Sequence, residues 1–300
     1  MALYEPALRY FLAVYETGSV NAAARRLFVA GSAVSRQVAR LEKEAGAPLF
    51  VRLPSGVVPT EAGHAFAGFA RRVIRDAGRL VDQIHERRGA DTLISLASSS
   101  GIGYEFLPRV AADYRGLHGG VRFELHVTDP LAATHMVRDG AADVAVTFNI
   151  AIERGVRIAY STPAPLRAVV RAGHELAGRA SVNLAELLPY PLVLNPPRTT
   201  NRQLLDVLSA AQGTPIEPVL VCDNPGAMVR FIGRGDAVGV IGMISVGAHV
   251  AAGEVVAIRL RDRELRQRTL QVQTQAGRHL PAAVQEFVDT LVAALETTEV

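Results

Sequence analysis

Residues 19–42, Ser-Val-Asn-Ala-Ala-Ala-Arg-Arg-Leu-Phe-Val-Ala-Gly-Ser-Ala-Val-Ser-Arg-Gln-Val-Ala-Arg-Leu-Glu, constrain the fold of this chain more than any other stretch. Two short amphipathic patterns lie only a few residues apart, which predicts two helices joined by a tight turn over about residues 20–39. Asn21 is the expected N-cap of Ala22–Leu27, Phe28–Gly31 the turn, and Ser32 the cap of a second helix running to Ala45 before Gly46 stops it. In that second helix Val34, Val38, Leu41 and Ala45 share an inward face, and Ala33, Arg36, Gln37, Arg40 and Lys43 lie opposite. Short polar residues at a helix start, with guanidinium groups pointing outward, are what a helix needs to lie in the DNA major groove.

The flanks extend this unit over residues 1–60. Leu8, Phe11, Leu12 and Tyr15 recur at helical spacing, and Gly18 ends that helix. Pro48–Arg52 and Val57-Val58, joined through Pro54-Ser55-Gly56, predict a two-stranded wing. Charge is distributed in the same sense. Residues 1–90 carry 13 basic and 8 acidic side chains, net +5, and the remaining 19 basic and 21 acidic net −2, giving +3 for the chain. A basic head on a slightly acidic body predicts a polyanionic partner at the N-terminal end.

A long helix is expected next, capped by Thr60 and running from Glu61 to about Arg87, within a linker of residues 61–89. Ala62, Phe66, Phe69, Val73, Ala77, Leu80 and Ile84 fall at three- and four-residue steps, the pattern of a helix-pairing seam. A helix of roughly 40 Å is too extended for one small domain to cover. Its stripe therefore calls for a second copy of itself, or for packing on its own chain.

From residue 91 the pattern alternates strand and helix. Strands are expected at Thr92–Ala97, Val121–Val127 and Asp143–Phe148, with helices at Gly103–Tyr114 and Leu131–Asp139. A second α/β set occupies about residues 168–244, a strand comes next at 269–274, and Pro281 opens a terminal amphipathic helix. Such alternation implies largely parallel sheets covered by helices, in two lobes with a ligand cleft between them. With 49% apolar and 20% charged residues the composition is that of a globular protein. Cys222 is the only cysteine, so neither an intrachain disulfide nor a cysteine metal cluster can form. The opening Met-Ala-Leu-Tyr-Glu-Pro has no secretion-signal pattern, and a cytoplasmic protein with no membrane partner is expected.

These features together resemble the LysR-type transcriptional regulators over nearly the full length. Six segments carry the likeness in order and spacing: Leu8–Val14, Gly18-Ser19, Ala22–Leu27, Ser32–Glu42, Pro48–Arg52 and Thr60–Gly63. Leu107-Pro108 and Asp139–Asp143 resemble the family's effector domain more loosely. The resemblance implies an all-α winged helix-turn-helix with a long linker helix, then a two-lobed α/β effector domain like that of periplasmic binding proteins. Lobe 1 would hold residues 91–162 and 266–300, and lobe 2 residues 163–265. It also implies homodimers or homotetramers, paired through 61–87, on dyad-related double-stranded promoter DNA. Their regulation would depend on a small-molecule effector whose identity the sequence does not name, with no cofactor.

Candidate DNA-contacting residues are Ser32, Ala33, Ser35, Arg36, Gln37, Arg40 and Arg52. By family analogy Ser35 and Arg36 contact bases and Arg52 reaches DNA from the wing. Arg40 suits a phosphate or a solvated face, and Arg52 an ion pair as the alternative. Many family members have glutamine where Gly31 stands, so one base-reading side chain is missing.

Candidate effector residues sit at turns. Ser98, Ser99 and Ser100 precede a helix whose N–H groups and hydroxyls suit an anion, or simply cap that helix. Thr128, Asp129, Thr147 and Phe148 end the next strands, and Asp129 leaves a cationic effector open. Arg198, Thr199, Thr200 and Asn224 precede helices of the second lobe, with Arg198 and Arg202 the candidate anion partners. The chain also departs from the family at Gly242, near the position where the run after Gly235 usually ends in proline. No catalytic constellation, phosphate loop or histidine cluster appears, so an enzyme is not expected. A solute-binding transport protein would share the two lobes but lack the DNA-binding head.

Overall fold

The computed structural model describes residues 6–54, 56–85, 92–151 and 153–300, with backbone only at 72, 75, 76 and 79–85. Residues 1–5, Ser55 and Arg87, and the side chains of Leu80 and Ile84 in the expected seam, lie outside the described residues. The chain divides into two compact units, one ending near residue 92 and the other containing most of the remaining residues.

The first unit begins with α1 (Pro6–Thr17), α2 (Val20–Leu27) and α3 (Gly31–Ala45). The hairpin β1 (Phe50–Leu53) and β2 (Gly56–Pro59) comes next, then α4 (Glu61–His85). Its core gathers Leu8, Phe11 and Val14 of α1, Ala23 and Ala24 of α2, and Val34, Val38 and Leu41 of α3 around Leu49 and Phe50. Ala45 is exposed, a correction to its expected inward position, because the helix overruns the core before it stops at Gly46.

The capping differs from the sequence expectation at both helices of the motif. Ser19, in extended backbone, caps α2 by accepting from Ala22 N, so Asn21 lies within the helix. The α3 helix starts at Gly31 behind Ala30 with no side-chain cap, which places Ser32 inside its first turn. Local sequence offers cap residues at both spots; where the chain actually turns is decided by packing of α2 on α3. The turn itself closes on Phe28, left-handed at φ 55°, whose N–H reaches Ala24 O and Arg25 O.

The base of α4 packs on its own head. Ala67 and Ala70 are buried there, with Ala62, Phe66 and Val73 partly covered, while Phe69 is exposed. Gly63 is fixed by space: a Cβ there would lie 2.1 Å from Leu49 O. Thr60 caps the helix as expected, its hydroxyl accepting from Gly63 N at 2.9 Å and donating to Pro48 O at 2.7 Å.

The second unit opens with β3 (Thr92–Ser99), α5 (Ser100–Gly103), α6 (Phe106–Leu117), β4 (Val121–Thr128), α7 (Pro130–Arg138), β5 (Val144–Asn149) and β6 (Val156–Pro163). The chain then crosses to a second sheet through β7 (Leu166–Arg171), β8 (Ser181–Val182), α8 (Leu184–Leu187), β9 (Leu192–Leu194), α9 (Thr200–Gln212) and β10 (Pro218–Val221). It continues with α10 (Pro225–Ile232), β11 (Val238–Gly242), α11 (Gly247–Ala251) and β12 (Val255–Leu260), and returns to the first sheet as β13 (Thr269–Gln275) and α12 (Ala282–Glu296). The sheet orders are β4-β3-β5-β13-β6 and β10-β9-β11-β7-β12-β8.

The sheets are mixed rather than largely parallel. β3 and β5 pair in parallel, but β13 runs antiparallel to β5 and β6. In the second sheet β7 runs antiparallel to β11 and β12. The cause is the double crossing between lobes: a chain that leaves and re-enters a sheet does so along returning strands, which an alternating pattern does not reveal. The two crossings meet where Ala164 N donates to Arg268 O at 3.0 Å and Arg268 Nε donates to Ala164 O at 2.7 Å. Each lobe keeps its own core, one around Phe106, Leu107, Tyr114 and Phe287, the other around Leu166, Leu187, Leu205 and Val240.

Candidate nucleic-acid interface and effector cleft

The outer face of α3 is built by what its inner face buries. Val34, Val38 and Leu41 are held in the core, so Ser32, Arg36 and Arg40 are exposed, and Ala33, Ser35 and Gln37 are half-buried beside them. Arg36 is therefore presented to solvent from the first turns of the helix. Arg40 engages Glu44 one turn on at 2.8 Å, an exposed pair of small energetic weight. Arg52 is exposed on β1, opposite Val57. Arg26, on α2, pairs with Glu16 at 2.7 Å.

Glu42, read in the sequence only as part of a motif, ties the helix to the wing. Its Oε1 accepts from Leu49 N at 2.8 Å and Phe50 N at 3.1 Å. A carboxylate holding two backbone N–H groups fixes where β1 leaves the core, and so where Arg52 is held. Glu42→Ala is expected to cost about 1.5–3 kcal/mol, read as a lowered melting temperature; an unchanged one would remove the clamp.

In the second unit, residues from both lobes enclose a cavity of about 30 Å³. Ser99, Ser100, Gly101, Thr128, Pro130 and Phe148 line it from lobe 1; Asn195, Thr199, Thr200, Asn201, Pro225, Ile241 and Ser245 line it from lobe 2. The two lobes come close enough here that the space admits little more than water. Ser245 latches them, donating from its hydroxyl to Gly101 O at 2.7 Å.

Six of the expected effector residues meet here: Ser99, Ser100, Thr128, Phe148, Thr199 and Thr200. Five do not line the cavity. Ser98 donates to Val146 O at 2.9 Å, because β3 runs on through Ser99 and successive side chains of a strand alternate. The same alternation sends Phe148 to the cavity and Thr147 to the opposite face of β5. Asp129 accepts from Ala132 N at 2.8 Å and Asn224 from Ala227 N at 3.0 Å, each capping a helix. Arg198 is exposed on the approach to α9. Arg202, the other anion candidate, pairs with Asp206 at 2.7 Å.

The sequence reading missed a buried polar chain behind the cavity. Asn201 donates to Asn195 Oδ1 at 2.9 Å, and Asn195 donates to Cys222 O at 3.2 Å. Arg268 donates through Nη1 to Asn201 Oδ1, and its guanidinium lies 3.8 Å from the ring centroid of Phe148. Only 1% of Arg268 is exposed, and burial pushes its pKa down to about 9. No local signal marks it: Arg268 ends the run Arg-Asp-Arg-Glu-Leu-Arg-Gln-Arg, where Arg261 and Arg263 look identical to it.

Comparison with known proteins agrees with both halves. The family model described as the bacterial regulatory helix-turn-helix protein, lysR family, matches residues 6–64, and that of the LysR substrate binding domain matches residues 87–296. The chain belongs to the LysR family of transcriptional regulators. It is a transcription regulator with a DNA-binding helix-turn-helix and a domain for small-molecule effectors, in a family that is not enzymatic. The uncharacterized HTH-type transcriptional regulator Mb2303c of Mycobacterium bovis is 30% identical over 290 residues, 91% of this chain and 90% of that one. Full-length CbnR complexed with its target DNA shares the fold at a TM-score of 0.58 and 23% identity, covering 96% of this chain and 99% of that one. The effector binding domain of QuiR in complex with shikimate does so at 0.55 and 17%, covering 69% and 99%. Among the described residues no helix is long and apolar enough to cross a membrane.

Proposed function

We propose that this protein reads promoter DNA through α3 and the wing, and that a small molecule held between the two lobes controls it. Ser35 and Arg36 contact bases, with Ser32, Ala33 and Gln37 beside them, and Arg40 and Arg52 meet the backbone. Residues 1–60 form the DNA-binding head and 61–89 the linker. Lobe 1 comprises 91–162 and 266–300, and lobe 2 comprises 163–265. The exposed Phe69 supports pairing of two copies through α4 as dimers or tetramers on dyad-related sites, and this work on DNA puts the protein in the cytoplasm. The observation that carries the reading is the exposed guanidinium of Arg36 opposite the buried Val34, Val38 and Leu41. CbnR is seen on its target DNA and QuiR with shikimate, which supports both roles by analogy.

Arg36→Ala is expected to weaken operator binding by about 1–3 kcal/mol, the worth of a bidentate base contact. A gel-shift titration at fixed salt measures it, and unchanged affinity would strike Arg36 from the interface. Footprinting of upstream DNA with and without candidate metabolites tests the whole reading. Absence of protection at low salt overturns it.

A further inference from the structure

We propose that α2 and the turn after it carry a second DNA-reading strip, Asn21, Arg25 and Phe28, which takes over the place left empty by Gly31. This rests on the head binding DNA through α3. Phe28 is the observation from which it starts. Its side chain is 96% exposed, and among the described residues it is the one non-glycine residue with a left-handed backbone, at φ 55°. A bulky side chain in that region is strained, and glycine or asparagine closes a helix there at less cost. Phe28 thus gives up stability and buries nothing in return, which is how a residue kept for contact with another molecule behaves.

The strip opens onto the recognition helix. Asn21, Arg25 and Phe28 recur at steps of four and three residues and so share one face of α2. With Ala30 and Gly31 they line an open groove of about 570 Å³ between α2 and the start of α3, room for a nucleotide rather than for an ion. Gly31 is the first residue of α3, so the groove runs directly into the face that presents Ser32 and Arg36. A Cβ on Gly31 would lie 3.3 Å from Asn21 Oδ1. Asn21 therefore already stands where a side chain at position 31 would leave its helix.

The chemistry of the groove fits a duplex. Asn21 and Arg25 are exposed, and among the described residues neither has a hydrogen-bond or ion-pair partner, whereas Arg26 is held by Glu16 at 2.7 Å. No acidic side chain lines the groove. A guanidinium without a counter-ion suits a phosphate, a carboxamide suits the N6 and N7 edge of adenine, and an exposed ring suits the C5 methyl of thymine. A protein surface would also cover a phenylalanine, but continuity with α3 and the unanswered positive charge favour the polyanion.

The test uses full-length protein and the duplex that it enriches from a randomised library. Phe28→Gly relieves the backbone and removes no packing, so the head should melt at or above the wild type. It should nevertheless bind the duplex about tenfold more weakly, the scale of a partly buried aromatic side chain. Thymines are then replaced one at a time by deoxyuridine, which lacks only the C5 methyl. One replacement, or its dyad mate, should cost the wild type about fourfold, the worth of one buried methyl, and cost Phe28→Gly nothing. Asn21→Ala should lose its preference at one A·T pair. Arg25→Gln should weaken all duplexes alike and lower the salt slope by about one. Unchanged affinity of Phe28→Gly, a marked fall in its melting temperature, or no thymine methyl that distinguishes it from the wild type each overturns the strip. Arg36→Ala is titrated alongside: if it alone loses affinity, only the strip falls, whereas a library from which no duplex is enriched sinks the reading of the head itself.

Discussion

Phe11→Ala is expected to remove about 3–5 kcal/mol from the DNA-binding head, the cost of emptying a fully packed aromatic site. Phe11 is 0% exposed and is the ring on which three elements converge. Its centroid lies 5.1 Å from Phe50 at the wing and 4.9 Å from Phe66 on α4, with Tyr15 of its own helix at 6.2 Å. A unit of this size has little more stability than that to lose, so operator binding should vanish although no DNA-facing residue has changed. Calorimetry of the full chain should show the transition that operator DNA stabilises moving sharply down, and effector binding by the lobes should persist. Retained operator affinity at 37 °C would mean the head does not depend on this cluster.

The second large effect falls on the other unit. Asp143, 1% exposed, has the sequence setting of a turn or cap residue and instead clasps three segments. Its Oδ2 accepts from Ser95 N at 3.0 Å, its own N–H donates to Ser95 O at 2.8 Å, and its Oδ1 lies 3.3 Å from Arg278 Nη1. These bonds hold β3 beside the start of β5 and the segment after β13, the strands that carry Ser99 and Phe148 into the cavity. Asp143→Ala leaves a mostly buried arginine without this carboxylate and is expected to cost about 3–5 kcal/mol. Asp143→Asn keeps an acceptor for Ser95 and should lose less. The effector-domain transition in calorimetry reads both variants, and equal stability of Asp143→Ala and wild type would rule out the clasp.

Much of the head was legible because its signals are local. Val34, Val38 and Leu41 mark an inward face by spacing alone, Gly46 stops the helix in the left-handed region, and Thr60 caps α4 as its chemistry allows. The misassigned caps at Asn21 and Ser32 have a single cause. Several residues near each helix start have capping chemistry, and only the packed position of the chain selects among them. In the effector domain β6 went unread although Val156, Ile158 and Tyr160 alternate with more exposed neighbours between the turn at Gly155 and Pro163, a pattern that does mark a strand. The cleft was half legible: strand ends gave the right neighbourhoods, but β3 runs two residues past the expected Ala97, and its alternation sets Ser99 on the cavity wall and turns Ser98 away.

The sequence by itself determined the helix-turn-helix, the basic outer face of α3 and the alternation that makes two α/β lobes, since periodicity and capping act over a few neighbouring residues. Tertiary structure alone decided which strands run backwards, that Glu42 anchors the wing, and that Arg268 is shut away beside Gly242. Those outcomes depend on contacts between residues far apart along the chain. Whether a charge meets water or a cavity wall is set by what folds over it, and nothing beside it in the chain carries that information.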